Sequence, residues 1–273
     1  MPYIECNKIS SGCFSLCPLC PLWLKNKDGK SHHANLFSVI SVPSVVKKRT
    51  GNSGMHKVIL TADASGAALA GALGLVVVVV DVIDFSTSME SALDQGAAAV
   101  YGASPDDARA PVKLDPGRVG AMAGGEAVRL GTSVVVVAEP RVGEDSQRRG
   151  GVKKALEGIS SAGASVEVVL PNLGAETPRL AELKGKVVLG ATGSGGVAFD
   201  AALCAGAPAV LTATVARTLS KSGFAPARDG AGRAAEAAGR LGTGIAVVAA
   251  SGKSLEDLLA AEYIYRDLLG FFR

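Results

Sequence analysis

The 273-residue sequence predicts an α/β fold, a mostly parallel sheet of about seven or eight strands covered by helices. Three observations predict it. Some segments, Val76-Val77-Val78-Val79-Val80 above all, are apolar at every position, as strands buried on both faces are. Such segments alternate with stretches of helical periodicity, which is the pattern of βαβ units. The composition is 48% hydrophobic but only 4% aromatic, with 34 glycines, so the core is built from Val, Leu, Ile and Ala under tightly packed helices.

The elements follow in order. Residues 57–62 (KVILTA) read as a strand, and 64–73 is a small-residue stretch compatible with a helix. Residues 75–81 are an unbroken β-branched run, followed by an amphipathic helix over 86–95. Residues 97–102 (AAAVYG) form the next strand, and 105–109 a short helix with acidic residues in its first turn. A strand over 132–138 precedes a helix over 147–162, with the Gly/Arg-rich stretch 141–151 expected to be a mobile loop. Strands over 166–170, 186–191 and 207–214 alternate with helices over 175–183, 196–204 and 228–241. A last strand, 244–250, and a closing helix, 255–269, complete the pattern. No long linker interrupts residues 55–273, which read as a single domain.

The first 54 residues differ in kind. They hold the only tryptophan (Trp23), four of the five cysteines and two of the three histidines. They also hold seven of the 28 basic and two of the 25 acidic residues, leaving 21 basic and 23 acidic residues beyond them. The overall charge of +3 therefore describes the segment and not the domain. Met55 is the expected natural start, with 1–54 an unstructured or mis-assigned extension. Cys13, Cys17 and Cys20 have the C-x3-C-x2-C spacing of radical iron–sulfur enzymes, and with Cys6, His32 and His33 they could hold zinc. No strand precedes them and two prolines, Pro18 and Pro21, sit inside and beside them, so reduced, unstructured thiols are the expectation. Cys204 reads as a small buried hydrophobe. No lysine/arginine patch with interleaved aromatics follows Met55, which argues against nucleic acid as a partner. No apolar run reaches membrane-spanning length, and the cytoplasm is the expected location.

In open parallel sheets, ligands gather at the carboxyl ends of strands. The first strand brings Thr61 and Asp63 there; the second brings Asp81, Asp84 and Ser86-Thr87-Ser88. The strand at 186–191 brings the glycine loop Gly190-Ala191-Thr192-Gly193-Ser194-Gly195-Gly196. Ser86, as an N-cap, with Thr87 and Ser88, could cradle a phosphate at a helix start, or simply cap the helix. Gly193, Ser194, Gly195 and Gly196 could do the same through backbone N–H groups. Asp81 ends a strand with no other polar residue and is either a turn acid or a ligand for Mg²⁺, with Glu126 a candidate second ligand. Glu256 and Asp257 lie in the first turn of the last helix, where the helix dipole favours acids in any case. Gly190, Gly193 and Gly196 also fit a G-x-x-G-x-x-G dinucleotide pattern. In that reading the chain is an NADP-binding oxidoreductase-like protein and Arg217 meets the 2′-phosphate, although no Tyr-x-x-x-Lys pair accompanies it.

Three stretches together resemble the 2-phosphosulfolactate phosphatase family. The first, VVVVVDVIDFSTSM (76–89), continues through Ala92-Leu93-Asp94-Gln95-Gly96-Ala97 to Val100-Tyr101. It parallels the family's valine strand, Asp-Val-Leu-Arg turn, Ser/Thr run and helix ending in Asn-Gly-Ala. The second is Ala123-Gly124-Gly125-Glu126, and the third the helix from Ser251-Gly252-Lys253-Ser254-Leu255-Glu256-Asp257 to Glu262. The resemblance runs in order through nearly all of 55–273, with about 130–185 poorly matched. Asp84 stands where the family has arginine, Ser194-Gly195-Gly196 where it has Asn-Gly-Thr, and Pro171-Asn172-Leu173-Gly174 is a poor counterpart of its Asn-Ser-Pro segment. The resemblance implies magnesium-dependent hydrolysis of a small anionic phosphoester, 2-phosphosulfolactate-like, on the route to coenzyme M. Asp81 would be a metal ligand or base assisted by Glu126, with Ser86, Thr87, Ser88 and the glycine loop holding the anion. A paralogue that binds without turnover is the further alternative. Neither nucleic acid nor a membrane is an expected partner, and a homo-oligomer is allowed.

Overall fold

A computed structural model describes residues 57–271 of the chain. The extension expected over 1–54, with its cysteines and histidines, lies outside the described residues. In chain order the elements are β1 (Val58–Ala62), α1 (Asp63–Ala72), β2 (Val76–Val80), α2 (Ser86–Asp94), β3 (Ala99–Ala103), α3 (Pro116–Leu130) and β4 (Val134–Ala138). There follow α4 (Asp145–Gly151), α5 (Lys153–Ser161), β5 (Val166–Pro171), a 3-10 segment (Gly174–Arg179), β6 (Val187–Ala191), α6 (Gly195–Cys204), β7 (Val210–Thr212), α7 (Ala225–Leu241), β8 (Ile245–Ala249) and α8 (Leu255–Phe271).

Every strand lies where the sequence places one, and every pairing is parallel. The expected single sheet is instead two sheets of four strands, ordered β1-β8-β2-β7 and β3-β6-β4-β5. An apolar run shows that a strand is buried on both faces but not which strand lies beside it. The chain leaves the first sheet after β2 through α2, lays down β3 to β6 as the second sheet, and returns through α6 to β7. Helices α2 and α6 touch strands of both sheets.

The side-chain alternation of β2 divides the interior. Val77 and Val79 face a core shared with β3, β4, β6, α1, α2 and α6, whereas Val76, Val78 and Val80 face a second core under α7 and α8. Packing on both faces is why five valines in a row suit this strand. Edge-to-face contact between Phe85 and Phe199, with centroids 6.0 Å apart, joins the start of α2 to the middle of α6 inside the shared core.

Other differences have local causes. Residues 105–109 make a turn and not a helix. The 147–162 helix is two helices that break at Val152, and the 141–151 stretch is mostly the helix α4, opened by a capping box between Glu144 and Gln147. Residues 174–179 are 3-10 around Pro178. Helix α3 has no counterpart among the expected elements, because Gly117, Gly120, Gly124 and Gly125 depress its helix propensity. Its end signals are nonetheless in the sequence: Asp115 accepts from the Arg118 amide, Pro116 takes the first turn, and Gly131 ends the helix in the left-handed region. No helix among the described residues is long and apolar enough to cross a membrane.

Candidate active site

Asp81 emerges from β2 and is almost completely buried. One carboxylate oxygen accepts from Ser194 Oγ at 2.6 Å and from the Gly195 amide at 2.7 Å, and the other accepts from the Asp84 amide at 2.9 Å. It therefore caps the first turn of α6 from the end of a strand in the other sheet and fixes the turn that leads to Asp84. Both carboxylate oxygens thus accept hydrogen bonds from within the fold.

Glu126 does not join it. Helix α3 runs from the carboxyl end of β3 back to the amino end of β4, and Glu126 lies one turn from its end, where Arg129 Nε and Nη2 grip it at 2.8 and 2.5 Å. The structure thus separates the two carboxylates expected to share a metal ion.

The Ser/Thr run is also committed internally. Helix α2 begins at Ser86 with Phe85, not Ser86, as its N-cap. Ser86 Oγ donates to the Val79 carbonyl at 2.9 Å and accepts from the Asp81 amide at 3.0 Å. Thr87 Oγ1 donates to the Val82 carbonyl at 2.6 Å and lies 2.8 Å from Thr214 Oγ1. Ser88 Oγ donates to Asn172 Oδ1. All three hydroxyls are buried, and they join segments of the chain.

The glycine loop has a packing cause. A Cβ on Gly195 would stand 2.4 Å from Phe85 Cβ and 2.7 Å from Asp81 Oδ2, and one on Gly196 would stand 2.2 Å from the Ala103 carbonyl oxygen. A Cβ on Gly190 would meet the Phe85 ring at 2.8 Å, so only Gly193 faces open space. Arg217, offered for a 2′-phosphate, pairs with Glu176 at 2.7 Å. Of the three glycines in the dinucleotide spacing, Gly196 is required by the close seating of α6 and Gly190 by the Phe85 ring, whereas Gly193 has no packing cause.

What the carboxyl ends do bring together is a different set. Arg141, just beyond β4, places Nη2 at 2.5 Å from Asp84 Oδ1 and 3.2 Å from the Ile83 carbonyl, with Nε 3.6 Å from Glu139 Oε1. Asn172, just past β5 and fully buried, donates through Nδ2 to the Asp84 carbonyl and, at 3.1 Å, to Glu139 Oε1. Arg148 braces the turn carrying Arg141 by donating to the Pro140 and Gly143 carbonyls at 3.2 and 3.0 Å. Asp257, at the start of α8, accepts from the Val82 amide at 2.9 Å. Three separated loops and a helix start thus meet around residues 82–84. Sequence reasoning missed Arg141, Glu139 and Asn172, because nothing local marks loops that lie in different βα units as neighbours.

The charges here are unbalanced. Asp81, Asp84, Glu139 and Asp257 outnumber Arg141. Desolvation, then the neighbouring Asp81 charge, raises the pKa of Asp84 against the pull of Arg141. Desolvation raises Asp257 to about 6, with Asp81 again adding to the shift and the Val82 amide opposing it. Perturbed acids gathered at strand ends are the physical mark of a functional-site candidate. Among the described residues no group of three or more His, Cys, Asp and Glu side chains is arranged to hold a metal ion.

Asp257 makes a pH prediction. Its folded-state pKa lies above the ordinary 3.8, so its contribution to stability is complete below about pH 3.8 and is lost as the pH rises through about 6. Asp257→Asn keeps an oxygen for the Val82 amide and cannot ionise. The variant should therefore gain on the parent protein as pH rises from 4 to 6, read as urea midpoints at matched pH; parallel curves would contradict this.

Neither protein-family models nor curated proteins give a match to this chain.

Proposed function

We propose that the chain is a phosphoric monoester hydrolase for a small anionic phosphoester of the 2-phosphosulfolactate kind, with its active site at Asp84, Arg141 and Glu139 rather than at Asp81 and Glu126. The Asp84–Arg141 pair carries this reading. The family resemblance calls for an arginine where Asp84 stands. The guanidinium of Arg141 reaches the same place from the loop after β4, so a cation suited to phosphate or sulfonate is present by another route.

Magnesium fits this donor set better than the one expected from sequence. Asp84 and Glu139 are partly exposed carboxylates that flank one guanidinium, and Mg²⁺ is commonly held by one or two carboxylates together with substrate oxygens and waters. These two residues would hold it. When bound it would offset the local excess of acid and lower the pKa of a bound water. Arg141 presents a planar fork that matches phosphate oxygens. Asn172 positions the site by tying the Asp84 backbone to Glu139. Asp81 and Asp257 are positioning residues that hold the 82–84 turn through the Asp84 and Val82 amides.

The test is phosphate release from phosphosulfolactate and a panel of small phosphoesters, with magnesium and with a chelator. Magnesium-dependent release is expected. Asp84→Asn should lower kcat/KM by about 100-fold, and Arg141→Ala should raise KM by about tenfold or more, the scale of a lost charge-assisted contact. Folded protein that binds the esters but releases no phosphate would make it a non-catalytic binding paralogue. No binding of any ester, with thermal stabilisation by NADP, would move the assignment to the dinucleotide reading.

A further inference from the structure

Sheet edges are normally kept from pairing by charge, by proline, by brevity or by a covering element. Three of the four edges here follow that rule: β7 has only three residues, β5 carries Glu167 and ends on Pro171, and every residue of β3 is buried. The fourth edge, β1, reads Val58-Ile59-Leu60-Thr61-Ala62, with no charge or proline, and none of its residues is fully buried. The Lys57 carbonyl accepts from the Ile245 amide at 2.8 Å. Pairing groups alternate along a strand, so Ile59 and Thr61 also turn theirs to β8, while Val58, Leu60 and Ala62 turn theirs outward. Helix α1 lies over the same edge, since a Cβ on Gly66 would stand 2.3 Å from Thr61 Oγ1. Leu69 and, at the helix end, Leu73 continue the Gly66 stripe and are 58% and 54% exposed. Leu60, on the opposite face of β1 from Thr61, is 42% exposed.

We propose that two copies of this chain associate through β1, each β1 pairing antiparallel with the other about a two-fold axis at Leu60. The proposal is independent of the reading of the active site. A contact between identical surfaces must be complementary to itself. With the axis at Leu60 the outward groups meet in register: the two Leu60 residues exchange N–H···O=C bonds, and the Ala62 amide of each copy donates to the Val58 carbonyl of the other. The same register sets Lys57 of one copy opposite Asp63 of the other at both ends of the ladder, and both residues are exposed. A two-fold one residue to either side would set Lys57 opposite Thr61 or Ser65 instead, so the charges select this register. The two Leu60 side chains then cover each other on one face, and Leu69 and Leu73 of both copies flank the seam on the other.

Sedimentation velocity of the full chain should show a reversible dimer at micromolar concentration. Leu60→Lys sets like charges on the axis and removes the leucine contact, and should weaken the dimer by at least about tenfold. Lys57→Asp and Asp63→Lys should each weaken it alone, because each opposes like charges. Mixed together, the two variants should associate as a heterodimer, in which every such pair across the axis is Asp with Lys. Asp63 has a left-handed backbone, φ 63°, so a melting curve first establishes that its lysine variant is folded. Should it not fold, hydrogen exchange decides: the Leu60 and Ala62 amides should be protected in the parent dimer and exchange freely in Leu60→Lys. A monomeric parent would overturn the proposal, and so would a dimer as tight in Leu60→Lys as in the parent. Folded charge variants that fail to associate on mixing, or Leu60 and Ala62 amides that exchange freely in the parent dimer, would also overturn it.

Discussion

Replacing Gly158 with alanine is expected to lower the melting temperature by roughly 6–12 °C, a loss of about 3 kcal/mol in a domain of this size. Gly158 lies on α5 where that helix crosses α3. A Cβ there would stand 2.0 Å from the Gly117 carbonyl oxygen and 2.8 Å from the Ala121 amide nitrogen. The approach is matched from the other side, since a Cβ on Gly120 would stand 2.1 Å from the Ala155 carbonyl oxygen. Both obstacles are helix backbone, which cannot rotate aside as a side chain can. The two helices must separate, and everything α3 buries against β3 and β6 moves with them. Alanine is otherwise the better helix former, by about 1 kcal/mol. That gain can be seen alone at Gly125, which lies on the same α3 with nothing within 4 Å of its Cβ position. Gly125→Ala should raise the melting temperature by a few degrees. If both variants were to stabilise, the close helix crossing would be wrong.

The second large effect is expected at Arg233. Its guanidinium on α7 donates through Nη2 to both oxygens of Glu90 on α2, each at 2.5 Å, and Thr212 on β7 also donates to Glu90. Glu90 is fully buried, and desolvation raises its pKa against the pull of Arg233. Arg233→Met leaves that carboxylate without its counter-charge, at a cost of about 3–5 kcal/mol. With its pKa raised, Glu90 is tolerated best when protonated. The variant's deficit should therefore be smallest below about pH 4.5 and grow as pH rises. Glu90→Gln combined with Arg233→Met should recover most of the loss. Equilibrium urea denaturation at pH 4 and pH 8 separates these outcomes, and a deficit independent of pH would exclude the buried charge as its cause.

The strands were legible because burial on both faces writes itself into every residue of a segment. Val76 to Val80 and Val134 to Ala138 have no polar position to misread. Sheet membership was not legible, because β2 and β3 are consecutive in sequence and the crossover through α2 looks the same whether it returns to one sheet or starts another. Helix α3 was hidden by its glycines, of which Gly120 and Gly124 serve close packing against α5. The site was half visible. The end of β2 was marked in the sequence, and the structure shows Asp81 and Ser86 to Ser88 bonded into the fold there. Charged groups that reach it from other loops, Arg141 and Glu139, carry no mark in their own neighbourhood. Asp257 was read as a dipole-favoured acid, and its burial against Val82 depends on where α8 docks.

The order of strands in the first sheet has a consequence in time. β8 lies between β1 and β2, pairing Val58 and Val76 alike with Ile245. During synthesis, the two strands nearest the start of the described chain have no central partner until residue 249 has emerged. The second sheet is complete once β6 ends at Ala191. The domain can therefore mature from its middle outward, and its longest-range ladder closes last. Until then β2 has a strand, β7, on one edge alone, so a chain stopped short of β8 would leave the other edge of its most apolar strand unpaired.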